Sequence, residues 1–141
     1  MKSVPDMKQN KLTLSILKSM FGICRLDSGS EIPAWVYEGS FFSITKTPEE
    51  LSVVCPESNI PVNIPEEVRA ERGWSCLKVE GLLDFGLTGI LAGISRILAE
   101  NEVSIFAVST YDTDYILVRE TDMERAAKAL IEEGYKIRSP E

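Results

Sequence analysis

The sequence predicts an α+β protein: two βαββαβ units packed as one pseudo-symmetric body, the N-terminal copy degenerate. Three observations lead there. Strand and helix signals alternate in a clean order from Trp74 onward. An ungapped echo of that region lies upstream at a nearly constant spacing. Finally, 141 residues with 44% hydrophobic content can bury one good core, or two small ones packed together, without metals or cross-links.

The elements of the C-terminal half follow in order. WSCLKVEG, Trp74 to Gly81, alternates as a strand, with Leu77 and Val79 towards the core and Trp74, Cys76 and Lys78 on the other face. LTGILAGISRILAENE then sets Leu87, Ile90, Leu91, Ile94, Ile97 and Leu98 at spacings of three and four. That pattern is an amphipathic helix, opened by Thr88 and closed near Asn101. VSIFAVST reads as a buried strand, DTD as a turn and YILVR as the antiparallel partner. TDMERAAKALIEEGY supplies a second helix, with Thr121 as N-cap, Glu124 completing a capping box and Gly134 as its stop. YKIRS is a last short strand. The order is the ferredoxin-like supersecondary unit, which alone says nothing about function.

Upstream, FSITKTPEELSVV from Phe42 aligns with FAVSTYDTDYILV from Phe106, an offset of 106 − 42 = 64. It places Ile44 on Val108, Val53 on Leu117 and Val54 on Val118. LTLSILK, from Leu12, answers WSCLKVEG about 63 residues later. In GICRLDSGSEIPAWVYEG the glycines and Pro33 exclude a long helix, and Pro48 to Glu50 stands as the hairpin turn matching DTD. PESNIPVNIPEEVRAERG predicts an extended connection and then one or two turns of helix. The expected division is a degenerate unit with linker over 1–72 and a complete unit over 73–141.

Composition narrows the function. No apolar run reaches the roughly 18–20 residues of a membrane span, and MKSVPDMKQ lacks a signal peptide's apolar stretch, so a soluble cytoplasmic protein is expected. Cys24, Cys55 and Cys76 are odd in number, widely spaced and set among apolar residues, the pattern of buried reduced thiols rather than zinc ligands or a disulfide framework. A net charge of −7 without a basic run disfavours nucleic acid and mildly favours cationic ligands. Histidine is absent, which removes Ser-His and Cys-His pairs and the commonest near-neutral acid–base group. Neither a metal nor another cofactor is expected.

GLLDFGLTGILAGIS followed by VSIFAVSTYDTDYILV, with the upstream blocks IPAW, FFSITKTPEELSVVCPE and ERGW, resembles the tandem ACT-domain proteins that include the CASTOR arginine sensors and their bacterial relatives. The likeness spans roughly Leu12 to Tyr135, with a dozen separated blocks agreeing in order and spacing. It departs at Leu82, where relatives commonly carry proline. The resemblance implies ACT-type units, a regulatory module binding an amino acid at an interface between domains, frequent dimers, and no catalysis.

Residue chemistry and resemblance meet on one surface. Asp84, Phe85, Gly86, Leu87, Thr88 and Gly89 lie between a strand's end and a helix's start, where unpaired N–H groups and the helix dipole suit an α-carboxylate. The neighbouring hairpin offers Ser109, Thr110, Asp112 and Asp114 as acceptors for an ammonium or a basic side chain. The same residues also have plainer roles: Asp84 and Thr88 as helix caps, Asp112 and Asp114 as turn formers, Phe85 and Phe106 as core. Function therefore divides three ways: an amino-acid-binding regulatory module acting through self-association or a partner, a purely structural dimerisation domain, or a carboxylate-based enzyme or its regulatory subunit.

Overall fold

Eight strands and two α-helices form among the residues that the computed structural model describes, 12–80 and 89–140. The strands are β1 (Thr13–Ile16), β2 (Phe21–Leu26), β3 (Ser43–Lys46), β4 (Leu51–Pro56), β5 (Arg69–Val79), β6 (Ile105–Ser109), β7 (Asp114–Arg119) and β8 (Lys136–Arg138). The helices are α1 (Ile90–Glu100) and α2 (Glu120–Glu132). The chain divides into two units, residues 12–18 with 75–140 and Ser19–Trp74, and β5 passes from one to the other.

In the C-terminal unit the strand order is β6-β7-β5-β1-β8. β1 is antiparallel to β5, with Leu14 opposite Val79, and parallel to β8, with Leu14 opposite Ile137. LTLSILK thus supplies an extra strand of this unit, whereas it was expected in the N-terminal copy. Leu14, Leu77, Val79, Ile116 and Val118 pack with Ile94, Ile97 and Leu98 of α1 and with Met123, Ala126, Ala129 and Leu130 of α2. The expected core faces of β5 and α1 pack into this cluster, each large side chain contributing roughly 1.5–3 kcal/mol, and Trp74 and Cys76 on the other face of β5 are buried as well. β6 is correct in place but not buried: among the described residues it is an outer strand paired with β7 alone, and Ala107 and Ser109 are exposed.

Helix ends differ more. Thr88, the expected opener of α1, lies outside the described residues; the N-cap is Gly89, left-handed at φ 80°, with no side-chain cap. Asn101 closes the helix as expected, its Nδ2 donating to the Ile97 carbonyl at 2.8 Å. α2 begins at Glu120, directly off β7, so Thr121 falls inside the first turn and the expected capping box does not form. Glu120 and Asp122 instead place negative charge at the helix N-terminus, where the dipole favours it. Gly134, at φ 103°, stops the helix as predicted.

The N-terminal unit has the order β3-β4-β2-β5 in its own strands. Where the other unit carries helices it has 3-10 turns at Ala34–Tyr37 and Glu57–Asn59, in line with the glycines and Pro33. Its core is Cys24, Leu26, Val36, Leu51, Val53, Cys55 and Ile60. The helical turns expected in EEVRAERG are absent: after a turn closed by Val68 N–H to the Pro65 carbonyl at 3.0 Å, the chain enters β5 at Arg69, five residues before Trp74. That segment has no apolar helical face, and pairing with β2 satisfies its backbone instead.

The two hairpin turns correspond at an offset one residue shorter than the 64 expected from the sequence. Thr47 N–H donates to the Glu50 carbonyl at 2.9 Å, and Thr110 N–H donates to the Thr113 carbonyl at 2.8 Å. The equivalent offset is 110 − 47 = 63. It sets Val53 on Ile116 and Cys55 on Val118, core residue on core residue. At 64, Val53 would match Leu117, which points to the other side of its strand, because a one-residue slip reverses every side chain.

Candidate functional site

The polar hairpin begins with threonine. Thr110 Oγ1 donates to the Thr113 carbonyl at 3.0 Å and accepts from Thr113 N–H at 3.2 Å, so its hydroxyl and backbone together close the turn. Thr113 is buried and donates from Oγ1 to the Val79 carbonyl at 2.6 Å. This bond ties the tip to the end of β5, immediately before the stretch 81–88. Thr113 was not singled out from the sequence; a threonine at the fourth position of a turn, preceding an apolar strand, was the available signal.

Around that anchor the candidate acceptors take distinct places. Ser109 is the last residue of β6 and exposed; Asp114, directly opposite in register, is the first of β7 and half-buried. Asp112 is exposed at the tip beside Tyr111, which is 82% exposed. Asp114 thus belongs to a strand end rather than the turn, and the bonds that close the turn come from Thr110 and Thr113, not from either carboxylate. Of the predicted ligand loop, Asp84, Phe85, Gly86, Leu87 and Thr88 lie outside the described residues. Gly89 is described, its carbonyl accepting from Gly93 N–H at 2.8 Å to start α1. The structure therefore brings Ser109, Thr110, Asp112 and Asp114 together, and fixes their hairpin to the strand that leads into the loop.

The N-terminal hairpin has the same closure without the same display. Thr47 Oγ1 accepts from Glu49 and Glu50 N–H at 3.2 and 3.1 Å, and Pro48 and Glu49 occupy the tip. Elsewhere, Cys24, Cys55 and Cys76 are buried and unbridged, as expected, and burial pushes the Cys76 thiol up to about 12. Among the described residues no group of three or more Cys, Asp or Glu is placed to hold a metal, and no helix is long and apolar enough to cross a membrane.

Comparison with known proteins adds the following. A family model described as the ACT domain matches residues 69–132, and a second, described as an N-terminal domain, matches residues 19–63. The human Cytosolic arginine sensor for mTORC1 subunit 1 is 36% identical over 100 residues, covering 66% of this chain and 30% of that protein. The matched stretch spans just under a third of the length of that curated relative. A crystal structure of an Agrobacterium tumefaciens protein is 41% identical, covers 92% of this chain and 93% of its own, and superposes with a TM-score of 0.82. The regulatory subunit of aspartate kinase from Thermus thermophilus, 10% identical, shares the fold at a TM-score of 0.58 over 82% of this chain and 93% of its own.

Proposed function

Because this chain belongs to the ACT-domain family and is CASTOR-like within it, we propose that it is an amino-acid-binding regulatory module, not a catalyst, acting through self-association or a protein partner. The observation that carries the reading is the hairpin held by Thr113 to β5: its turn is closed without the two carboxylates, which stay available on a fixed scaffold. Asp114 accepts the positive group of the ligand and Asp112 adds to the field. Ser109 and Thr110 line the approach, and the loop from Asp84 through Phe85, Gly86, Leu87 and Thr88 to Gly89 takes the α-carboxylate. The curated relatives' name makes arginine the first ligand to test. The outer strands β3 and β6 leave edges suited to a homodimer.

Calorimetry with a panel of amino acids tests the site. One of them binds the wild type, and Asp114→Ala weakens binding about 10- to 150-fold, the loss expected for one charge-assisted hydrogen bond of roughly 1.5–3 kcal/mol. Glu50→Ala, on the other hairpin, leaves affinity unchanged. Equal losses in the two variants, or no binding to wild type at millimolar concentration, overturn the assignment.

A further inference from the structure

The antiparallel register of β2 and β4 sets Gly22 opposite Cys55 and Cys24 opposite Val53. Cys24 and Cys55 are therefore diagonal neighbours on one face, the face that forms this unit's core. They are 1% and 0% exposed and belong to one buried cluster. Hydrogen bonding from the Cys55 side chain holds the Cys24 thiol below its ordinary value against the opposing effect of burial, and the Arg72 guanidinium adds to the lowering. The same bond, with burial, pushes Cys55 upward. One thiol gives up its proton first while the other keeps it, the division of labour between an attacking and a resolving cysteine.

The pair is covered by a chain segment rather than a helix. Ile60 lies directly over Gly22, where a Cβ would collide with its Cδ1. The segment 57–64 that carries Ile60 is fastened by Gly73 N–H to Glu57 Oε1 at 2.6 Å, Arg72 Nη2 to the Pro61 carbonyl at 2.8 Å and Asn59 Nδ2 to the Glu38 carbonyl at 2.8 Å. It contains no strand. Such a strap opens locally at less cost than the strands beneath it.

We propose that Cys24 and Cys55 form a reversible redox site: a peroxide closes them to a cross-strand disulfide, with the 57–64 strap governing access. The Cys24 thiolate attacks one peroxide oxygen and breaks the O–O bond, leaving a sulfenic acid and a hydroxide that leaves as water after protonation. The Cys55 sulfur then displaces the hydroxyl from Cys24, forming the S–S bond and a second water. Two thiols supply two electrons and two protons, and one hydrogen peroxide becomes two waters. A diagonal pair closes with some adjustment of the strands, which keeps the bond readily reducible.

The test treats the whole protein with hydrogen peroxide, blocks remaining thiols by alkylation under denaturing conditions, and maps the peptides without reduction. The expected product has lost two hydrogens, links the Cys24 and Cys55 peptides, leaves Cys76 alkylated, and reverts with dithiothreitol. Glu57→Gln, which weakens one fastening, speeds linkage roughly tenfold, the factor set by loss of about 1.4 kcal/mol from that hydrogen bond. Cys55→Ser abolishes linkage and leaves oxidation on Cys24. No Cys24–Cys55 linkage in either wild type or Glu57→Gln, or Cys76 linked as fast, overturns the redox pair; equal rates in wild type and Glu57→Gln overturn the strap as its gate.

Discussion

The hairpins β3–β4 and β6–β7 are closed by one chemistry and surrounded by two. In each, a threonine hydroxyl accepts an N–H three residues on, and the strands leave with core side chains at equivalent positions, Val53 and Cys55 in one, Ile116 and Val118 in the other. The C-terminal hairpin is anchored to β5 through Thr113 and packs beneath two helices. The N-terminal hairpin has 3-10 turns and a strap for cover. A turn motif thus builds a corner, and what that corner does depends on the layer behind it and on which carboxylates the turn leaves unused.

The comparison breaks first in the cores. Leu98→Ala, in a fully buried position between helices and sheet, costs roughly 2–5 kcal/mol, whereas Val36→Ala, within the 3-10 turn that covers the N-terminal core, costs about 1–2, its removed volume being smaller and its surroundings freer to collapse. Urea melts of both variants decide it; a larger loss at Val36 would show that the N-terminal cover is the tighter layer. Next in size is the anchor. Thr113→Val removes a hydrogen bond and leaves the Val79 carbonyl without that donor, a loss of about 1–3 kcal/mol. Thr47→Val on the other hairpin loses only exposed or part-buried turn bonds and costs about 0.5–1. Equal melting shifts would mean that the tie to β5 adds nothing. The smallest effect sharpens the contrast by its absence: Arg96→Ala breaks an exposed i,i+4 pair with Glu100 and lowers stability by only about 0.3–0.5 kcal/mol, less in high salt.

A redox comparison follows the thiols. Raising pH deprotonates Cys24 before Cys55 or Cys76, so alkylation in the presence of mild denaturant labels Cys24 first as pH increases. Simultaneous labelling of all three, followed by mass spectrometry, would remove the distinction between them.

Side-chain periodicity alone determined much of this protein. The threefold and fourfold spacing of Ile94, Ile97 and Leu98 and the alternation of Leu77 and Val79 specify which faces are buried, because amphipathic elements have one way to hide apolar surface. Pro33 and its neighbouring glycines likewise forbade a helix before any partner was known. Asp112 was legible as part of a turn for the same local reason, although the sequence put Asp114 in that turn as well. Tertiary pairing decided the rest. β1 joins β5 and β8, and the charged run before Trp74 becomes strand, because backbone hydrogen bonds to a distant segment outweigh weak local propensity. The one-residue slip in the echo arose because neighbouring aliphatic residues match each other at either offset; only the cores show which side each one faces. The Thr113 anchor and the Cys24–Cys55 pairing were invisible for a related reason: each joins residues more than thirty positions apart, and only the folded sheet brings them together.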